Sequence, residues 1–551
     1  MLARLLLAPL AVPALLCYRL VGFGRPVLTA CVDARHPLPS ETCLRAVADA
    51  PVSGLHLRLV SVGAGWATLQ GAHAALLAVR AAGVPVVVEL EGSGNAELFL
   101  ASAASRVVLR PASHVQAVGV GASLRFGGAA LERLGVVADI ESAGAYKSLG
   151  ESFTRRFASP ENREAMAVLV DDLQRQLEEG IAAGRGRARE EVHAWLADAP
   201  LRAEDAVAQG LADVVAYPDE VDAWWEERVG REPRRVELAR WWKRRKARDA
   251  ARQRLRGGER VAVVHLGGNV VDGDGTPGTP SIAANPAIEA LDALREDEGV
   301  RAVVLHVRSP GGSAAASDLI WRAVQRLAET RPVVAVFGDV AASGGYYLAA
   351  PARWIVARAG TFTGSIGVVG GKLVLAGAGE KLGVHTELPL GAPMAALWSV
   401  NSTFSDEERA RFRATLRDTY AAFLDRVSRG RGRAVDAIEP FARGRVWSGA
   451  RALEHGLVDA IGGLDEGLAK AAELAGLARW RRVDVTVGPA SSLVQRALRR
   501  LTGGAEDERA ALLRQLCARL GVGAGLRTIL AAPAQPLAVA LELDALEDRS
   551  G

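Results

Sequence analysis

Residues 332–356 read PVVAVFGDVAASGGYYLAAPARWIV, and residues 85–109 read PVVVELEGSGNAELFLASAASRVVL. Each opens on Pro-Val-Val and runs through a short apolar stretch into a turn of small residues. Each then crosses a Leu-Ala helical patch and ends on an arginine followed by a second apolar stretch. Strand, turn, helix and strand in that order form the β-α-β unit of a parallel sheet. The two stretches are 247 residues apart, and the correspondence continues beyond them. Arg133-Leu134-Gly135-Val136 matches Lys381-Leu382-Gly383-Val384. Ser159-Pro160-Glu161 matches Ser405-Asp406-Glu407, each an N-cap with acids in the first turn of a charged helix. Ala206–Val214 (AVAQGLADV) matches Ala452–Val458 (ALEHGLV). Four matches kept in order make the chain a tandem duplication of one α/β domain.

Outward from these stretches, Val261–Leu266, Ala302–Val307 and Val333–Phe337 read as buried strands, with helices near 317–329 and 343–350. The pattern predicts a first repeat over 45–225, a basic helical linker over 226–258, a second repeat over 259–485 and a tail over 486–551. The tail holds an amphipathic run at 504–520.

Composition bounds the function. The chain has 551 residues, 49% hydrophobic and 24% charged, enough for a large core and incompatible with disorder, collagen or a small disulfide scaffold. Mean hydropathy is +0.12, yet only the N-terminus is apolar enough to enter a bilayer, which excludes a polytopic membrane protein. A net charge of +4 is too small for a dedicated nucleic-acid binder. That charge is uneven: residues 226–260 carry 14 Lys/Arg against 6 Asp/Glu.

The N-terminal run MLARLLLAPLAVPALLCYRLVGF suits either an uncleaved anchor or a signal core, so residues 1–24 are expected to lead the body across a membrane. The cysteines Cys17, Cys31, Cys43 and Cys517 lack metal-ligand spacing, and Cys31 with Cys43 is a candidate pair if that region is exported. Trp224, Trp225, Trp241 and Trp242 lie beside Lys243, Arg244, Arg245, Lys246 and Arg248. Two readings fit that stretch: docking on anionic lipid, or a basic linker whose indoles pack on the repeats.

Ala341-Ala342-Ser343-Gly344-Gly345 follows a buried strand and opens a helical run, a place that presents a hydroxyl beside free backbone N–H groups. An ordinary N-cap serine fits that segment equally well. Ser309-Pro310-Gly311-Gly312-Ser313 is a second strand-to-helix turn, whose paired glycines can expose backbone donors to an oxyanion. Thr363-Gly364-Ser365-Ile366-Gly367 is a third small-residue turn. A nucleophilic serine needs a base. His306 lies inside a strand and reads as a core or paired histidine, while His385 is 42 residues past Ser343 in what reads as another strand.

Lysine is the other option. Only six of the 67 basic residues are lysines: Lys147, Lys243, Lys246, Lys372, Lys381 and Lys470. In an arginine-rich chain a lysine is a candidate for work that requires giving up a proton. Lys147 stands in Gly144-Ala145-Tyr146-Lys147-Ser148 of the first copy, where the second copy has Met394 or Ala395. Conversely, the first-copy counterpart of Ser343 is Ala96. One copy therefore carries the serine and the other the lysine. A Ser–Lys site built from both requires the amine to be neutral, through burial.

With SPGGS, AASGGYY and TGSIG in the second copy and GAYKS in the first, the chain resembles signal peptide peptidase A, the protease IV family, in its long two-repeat form. The likeness covers about residues 50–225 and 260–480, and the chain departs from it around residues 25–65, where some strands and helices of the first copy look shortened. It implies two crotonase/Clp-like α/β domains, Ser343 as nucleophile, Lys147 as general base and Ser365 as the hydroxyl that holds the amine. Gly344 and Gly312 take the oxyanion positions. It further implies a homotetramer on the outer face of the cytoplasmic membrane that degrades leftover signal peptides, with no metal or cofactor and no nucleic-acid partner. The rival from the same superfamily is a crotonase-type acyl-CoA enzyme, which shares the glycine turn but has no use for Lys147. A Clp-type Ser–His–Asp protease would need a histidine about 25 residues past the serine, where Val368 stands. A non-enzymatic scaffold would not need both Ser343 and Lys147.

Overall fold

The computed structural model describes residues 25–91, 93–256, 258–276, 279–487 and 537–538. The expected anchor or signal over 1–24, Cys17, Cys517 and the run 504–520 lie outside the described residues. Among the described residues no helix is long and apolar enough to cross a membrane.

The Val/Leu-rich runs form two parallel sheets. In the first, Val214–Val215, Arg106–Leu109, Val86–Leu90, Gly54–Leu59, Val27–Val32 and Arg235–Glu237 lie side by side in that order. In the second, Ala460–Ile461, Trp354–Ala357, Val333–Ala342, Val300–Ser309, Glu259–Gly267 and Trp480–Thr486 repeat that order. Two further strands extend it: Phe362–Gly364, parallel to the end of Val333–Ala342, and Val446–Ser448, antiparallel to Phe362–Gly364. Parallel strands are covered on both faces and so read as continuous apolar runs; every residue of Val86–Leu90 is buried. Around residues 25–65 the elements of the first copy are shorter than their counterparts in the second. Val27–Val32, Glu41–Ala48 and Gly54–Leu59 have 6, 8 and 6 residues, against 9, 13 and 10 in Glu259–Gly267, Ala284–Glu296 and Val300–Ser309.

By internal contacts the chain divides into two units. One comprises Met1–Gly63, Ala72–Val118 and Gly180–Ala250 and holds the first sheet. The other comprises Ala64–Gly71, Gly119–Glu179 and Ala251–Gly551, so it takes a piece of the first copy along with the second sheet. Within that piece, strand Val137–Ala143 runs antiparallel to Val368–Val374, with Ile140 opposite Gly371. Its acids hold it to the helix Asp406–Arg431. Arg409 donates to Asp139 at 2.7 Å and to Glu141 at 2.6 Å, Arg413 donates to Glu141 at 2.8 Å, and the Phe404 N–H donates to Asp139 at 2.7 Å. The expected caps are formed: the Ser159 hydroxyl accepts the Asn162 N–H at 3.1 Å, and Ser405 with Glu408 makes a reciprocal capping box.

The basic stretch differs from the expected continuous helix. Helix Pro218–Val229 stops at Gly230, whose φ is +73°; Arg235–Glu237 then joins the first sheet beside Val27–Val32, and a second helix runs Leu238–Arg256. Trp225 is fully buried against Val27, Val87, Val108 and Val221, and Trp224 packs edge-on to it with centroids 4.9 Å apart. These two indoles therefore pack on the first sheet and are not a lipid-facing pair, as the packing reading of that stretch requires. Trp225→Ala is expected to destabilise the first unit by about 3–5 kcal/mol, since it removes a fully buried indole from this cluster and leaves a cavity. A urea titration reads the loss; a midpoint within error of wild type would show that the indole is dispensable to this core.

Cys31 and Cys43 are free thiols, contrary to the candidate pairing. Cys31 lies on the first sheet and accepts from Arg58 at 3.6 Å, while Cys43 is buried in the helix Glu41–Ala48, where burial pushes its thiol up to about 12. His385 lies in exposed coil rather than in a strand.

Candidate active site

Three turns of the second sheet converge on Ser343. The strand Val333–Ala342 delivers it, and the helix Gly344–Ala349 follows it at once. The helix is held by the tyrosines after the glycines: Tyr346 donates to the Leu457 carbonyl at 2.7 Å and Tyr347 to Asp318 at 2.7 Å. Ser343 has φ +51° and ψ −120°, a conformation rare for a residue with a Cβ, and strain of this kind gathers at functional sites. Its hydroxyl makes no capping bond to the helix, which removes the reading as an ordinary N-cap. The Ser343 N–H donates to the Gly364 carbonyl at 2.9 Å, tying this turn to the one that carries Ser365. The Ser309–Ser313 turn packs against the other side. A Cβ on Gly311 (φ +111°) would stand 2.7 Å from the Gly344 nitrogen, and one on Gly344 would stand 3.2 Å from the Gly312 nitrogen. The amides of Gly312 and Gly344 are thus brought into one neighbourhood beside Ser343.

Lys147 reaches the same point from the turn that follows Val137–Ala143. Its amine lies 3.1 Å from Ser343 Oγ, 2.9 Å from Ser365 Oγ and 3.0 Å from the Ser365 carbonyl oxygen. Ser343 is 0% exposed, Ser365 1% and Lys147 5%. Burial pushes the lysine down from 10.5 to about 7. In the neutral amine the two hydrogens can go to the two oxygens of Ser365, leaving the lone pair directed at the Ser343 hydroxyl. That arrangement can take a proton from Ser343 and return it. All of these residues lie in the second unit, within one chain.

The loop 442–445 did not stand out in the sequence, yet it touches both halves of the site. Its Arg443 carbonyl accepts the Tyr146 N–H at 2.8 Å, and its Arg445 carbonyl accepts the Ser365 N–H at 2.7 Å. Between them, Gly444 (φ +81°) lies so near the lysine turn that a Cβ there would stand 2.5 Å from Lys147 Cβ. A glycine between two arginines before Val-Trp-Ser marks a tight turn, but nothing in its spacing points to a residue almost 300 positions earlier.

The other histidine and repeat positions lie apart from this chemistry. His306 is paired, its Nδ1 3.2 Å from His265 Nδ1, and burial pushes it down to about 3. Met394 and Ala395 occupy a turn, and Ala96 sits in the helix Asn95–Ser102 of the first unit, at the same strand–turn–helix place that Ser343 holds in the second.

Comparison with known proteins agrees with the doubling. The sequence pattern of peptidase family S49 matches twice, over residues 78–231 and 325–478, at the offset of the repeat. Serine protease SPPA of Arabidopsis thaliana chloroplasts is 32% identical over 451 residues, spanning 81% of this chain and 67% of that protein. Protease 4 of Salmonella typhi is 29% identical over 478 residues, spanning 84% and 76% respectively. Among solved structures, a ClpP1 mutant from Listeria monocytogenes is covered over 94% of its length by 37% of this chain, at 15% identity and a TM-score of 0.26.

Proposed function

The chain belongs to peptidase family S49 and is a serine peptidase, and on that premise we propose that it is an endopeptidase working through a Ser343–Lys147 dyad. One observation carries the reading: a buried lysine amine 3.1 Å from the hydroxyl of a strained serine. Ser343 Oγ attacks the scissile carbonyl as its proton passes to Lys147 Nζ. The amides of Gly344 and Gly312 donate to the oxyanion, and Ser365 keeps the amine aimed. The lysine ammonium then protonates the leaving amine, which leaves an acyl-enzyme. Water, deprotonated by the same lysine, then adds to the ester carbonyl; the acyl–Oγ bond breaks to release the acid, and the lysine ammonium returns its proton to Ser343 Oγ.

The finer reading is a homotetramer at the outer face of the cytoplasmic membrane, held there by residues 1–24 and clearing residual signal peptides. Its support is the likeness in SPGGS, AASGGYY, TGSIG and GAYKS, together with the apolar lead segment. Unfolded, apolar peptides with a small or aliphatic residue before the cut are the expected substrates, because the turns around Ser343 are lined by glycine and alanine. Purified protein should cleave leucine- and alanine-rich peptides with kcat/KM about tenfold or more above charged peptides of equal length. It should also take a fluorophosphonate on Ser343. Faster cleavage of the charged set would overturn the substrate class, and label on another serine would overturn the site.

A further inference from the structure

Lys147 does not sit in a regular element. It lies between strand Val137–Ala143 and the short helical turn Ser148–Gly150, so neither ladder fixes its direction. What holds it is the loop 442–445, already bonded by its carbonyls to Tyr146 on one side and Ser365 on the other. The loop is fixed in turn. The Gly444 N–H donates to the Ile366 carbonyl at 2.7 Å, and the Arg443 N–H donates to the Tyr420 hydroxyl at 3.0 Å.

Arg445 adds a side-chain clamp to this backbone bridge. Its guanidinium lies over the Tyr146 ring at 4.8 Å and over the Trp447 ring at 4.4 Å. It donates to Glu164 at 2.8 Å, and the Tyr146 hydroxyl donates to the same carboxylate at 2.9 Å. Arg445 is 13% exposed, against 53% for Glu164, so the planar cation is sandwiched and the acid closes the open end. Tyr146 is the residue before the lysine. A side chain that grips Tyr146 while its own carbonyl holds Ser365 sets the distance between the amine and its hydrogen-bond acceptors.

We propose that Arg445 is a positioning residue for Lys147: clamped by Glu164 and Trp447, it pins the Tyr146–Lys147 turn against the Ser365 turn and keeps water from the amine. The inference rests on the dyad reading and assigns what keeps that dyad aligned. Arg445 touches none of the reacting atoms and acts through Tyr146 and Ser365. The charged and titratable groups around the turn are Tyr146 itself, Glu161 and Glu164 from the helix Pro160–Arg185, Arg443 and Arg445 from the loop, Glu439 paired with Arg443, Tyr420 from Asp406–Arg431, and Glu151 bonded to Ser159 and Asn162. Burial alone accounts for the lowered lysine. Loosening the clamp should therefore raise it, by admitting water.

The test compares wild type with Arg445→Gln, Glu164→Gln, Tyr146→Phe and Arg445→Lys. Each protein is assayed for peptide hydrolysis and for the rate of fluorophosphonate labelling at Ser343, across the rising limb of the pH profile. A displacement of about 1 Å at a reacting group costs up to about a hundredfold, so Arg445→Gln should lose about tenfold or more in kcat per labelled site. KM should stay close to wild type, and the midpoint of the limb should move to higher pH. Glu164→Gln and Tyr146→Phe should move both readouts the same way by less. Arg445→Lys keeps the pairing with Glu164 but not the planar stack, and should fall between wild type and glutamine. A merely structural Arg445 would lower the folded fraction and leave kcat per labelled site and the midpoint unmoved; that result overturns the proposal. If Arg445→Gln does not fold, Glu164→Gln and Tyr146→Phe decide by the same two readouts. Wild type that takes no label at Ser343, or hydrolyses peptide equally well as Lys147→Met, overturns the dyad and the clamp together. A labelled, lysine-dependent wild type with unmoved variants overturns the clamp alone.

Discussion

Replacing Ser343 with alanine is expected to lower kcat/KM for peptide hydrolysis by about 10⁴-fold or more while leaving the protein folded. A loss of that size is about 5–6 kcal/mol of transition-state stabilisation, more than positioning or a lost hydrogen bond supplies at one atom. It is the expected size when the attacking oxygen itself is gone. The fold should tolerate the change. Alanine meets the same cost at φ +51° that serine already bears, and the Lys147 amine keeps both oxygens of Ser365. Stability should then stay within about 1 kcal/mol of wild type. The same variant separates the peptidase from an acyl-CoA enzyme on a related scaffold. In the latter the amides of Gly344 and Gly312 would polarise the thioester, and the serine oxygen would be dispensable. Folded Ser343→Ala protein with full peptidase activity would remove the nucleophile from this reading.

The doubled fold was legible because duplication leaves its offset in every element. Pro-Val-Val and the following arginine recur at 247 residues and the Leu-Ala patch at 248, and the six strands of the first sheet then recur in order within the second. The serine turn was only half legible by itself, since small residues between a buried strand and a helix suit an ordinary N-cap as well as a nucleophile; the paired glycines at 311–312 shifted the balance. The lysine was half legible. Scarcity narrowed six candidates, but Lys372 is also buried, donating to the Ala396 carbonyl at 3.1 Å and lying 4.4 Å from the Phe404 ring. Only the folded arrangement separates a lysine that faces a serine from one that faces a phenylalanine. What stayed hidden depends on long-range pairing. Arg235–Glu237 is three residues inside a basic run, and it becomes a strand only because Val27–Val32 offers an open edge. The segment 119–179 belongs by sequence to the first copy, yet it is grouped with the second sheet through a ladder whose partner lies more than 200 residues on. His385 failed for the opposite reason. Its Val-His-Thr-Glu-Leu context alternates like a strand, but among the described residues no strand pairs with it and it stays in coil.

Lys147→Arg is expected to be as inactive as Lys147→Met, each down by about 10³-fold or more, because charge is not what the site uses. Arginine stays protonated at any pH the protein survives, so it cannot take the Ser343 proton. Wild-type activity should rise with pH through about 7, where the buried amine becomes neutral, and neither variant should show that limb. The same lysine sets a sign for stability. Its folded value is about 7 against an ordinary 10.5, so between those two the unfolded chain binds the extra proton and stability rises with pH. At and below about pH 7 the buried amine costs the fold roughly 4 kcal/mol, and the cost fades as pH climbs toward 10.5. Methionine has no amine to desolvate, but it leaves the Ser365 oxygens without their donor at about 1–3 kcal/mol. Lys147→Met should therefore be more stable than wild type near neutral pH by about 1–3 kcal/mol, the difference between those two terms. That advantage should shrink, and then reverse, as pH rises. Urea titrations of the two proteins at neutral and alkaline pH read it directly. A gap that does not change with pH would mean that Lys147 carries an ordinary amine, and would leave Ser343 without its base. An arginine variant near wild-type activity would lead to the same conclusion by a separate route, since it would show that the proton goes elsewhere.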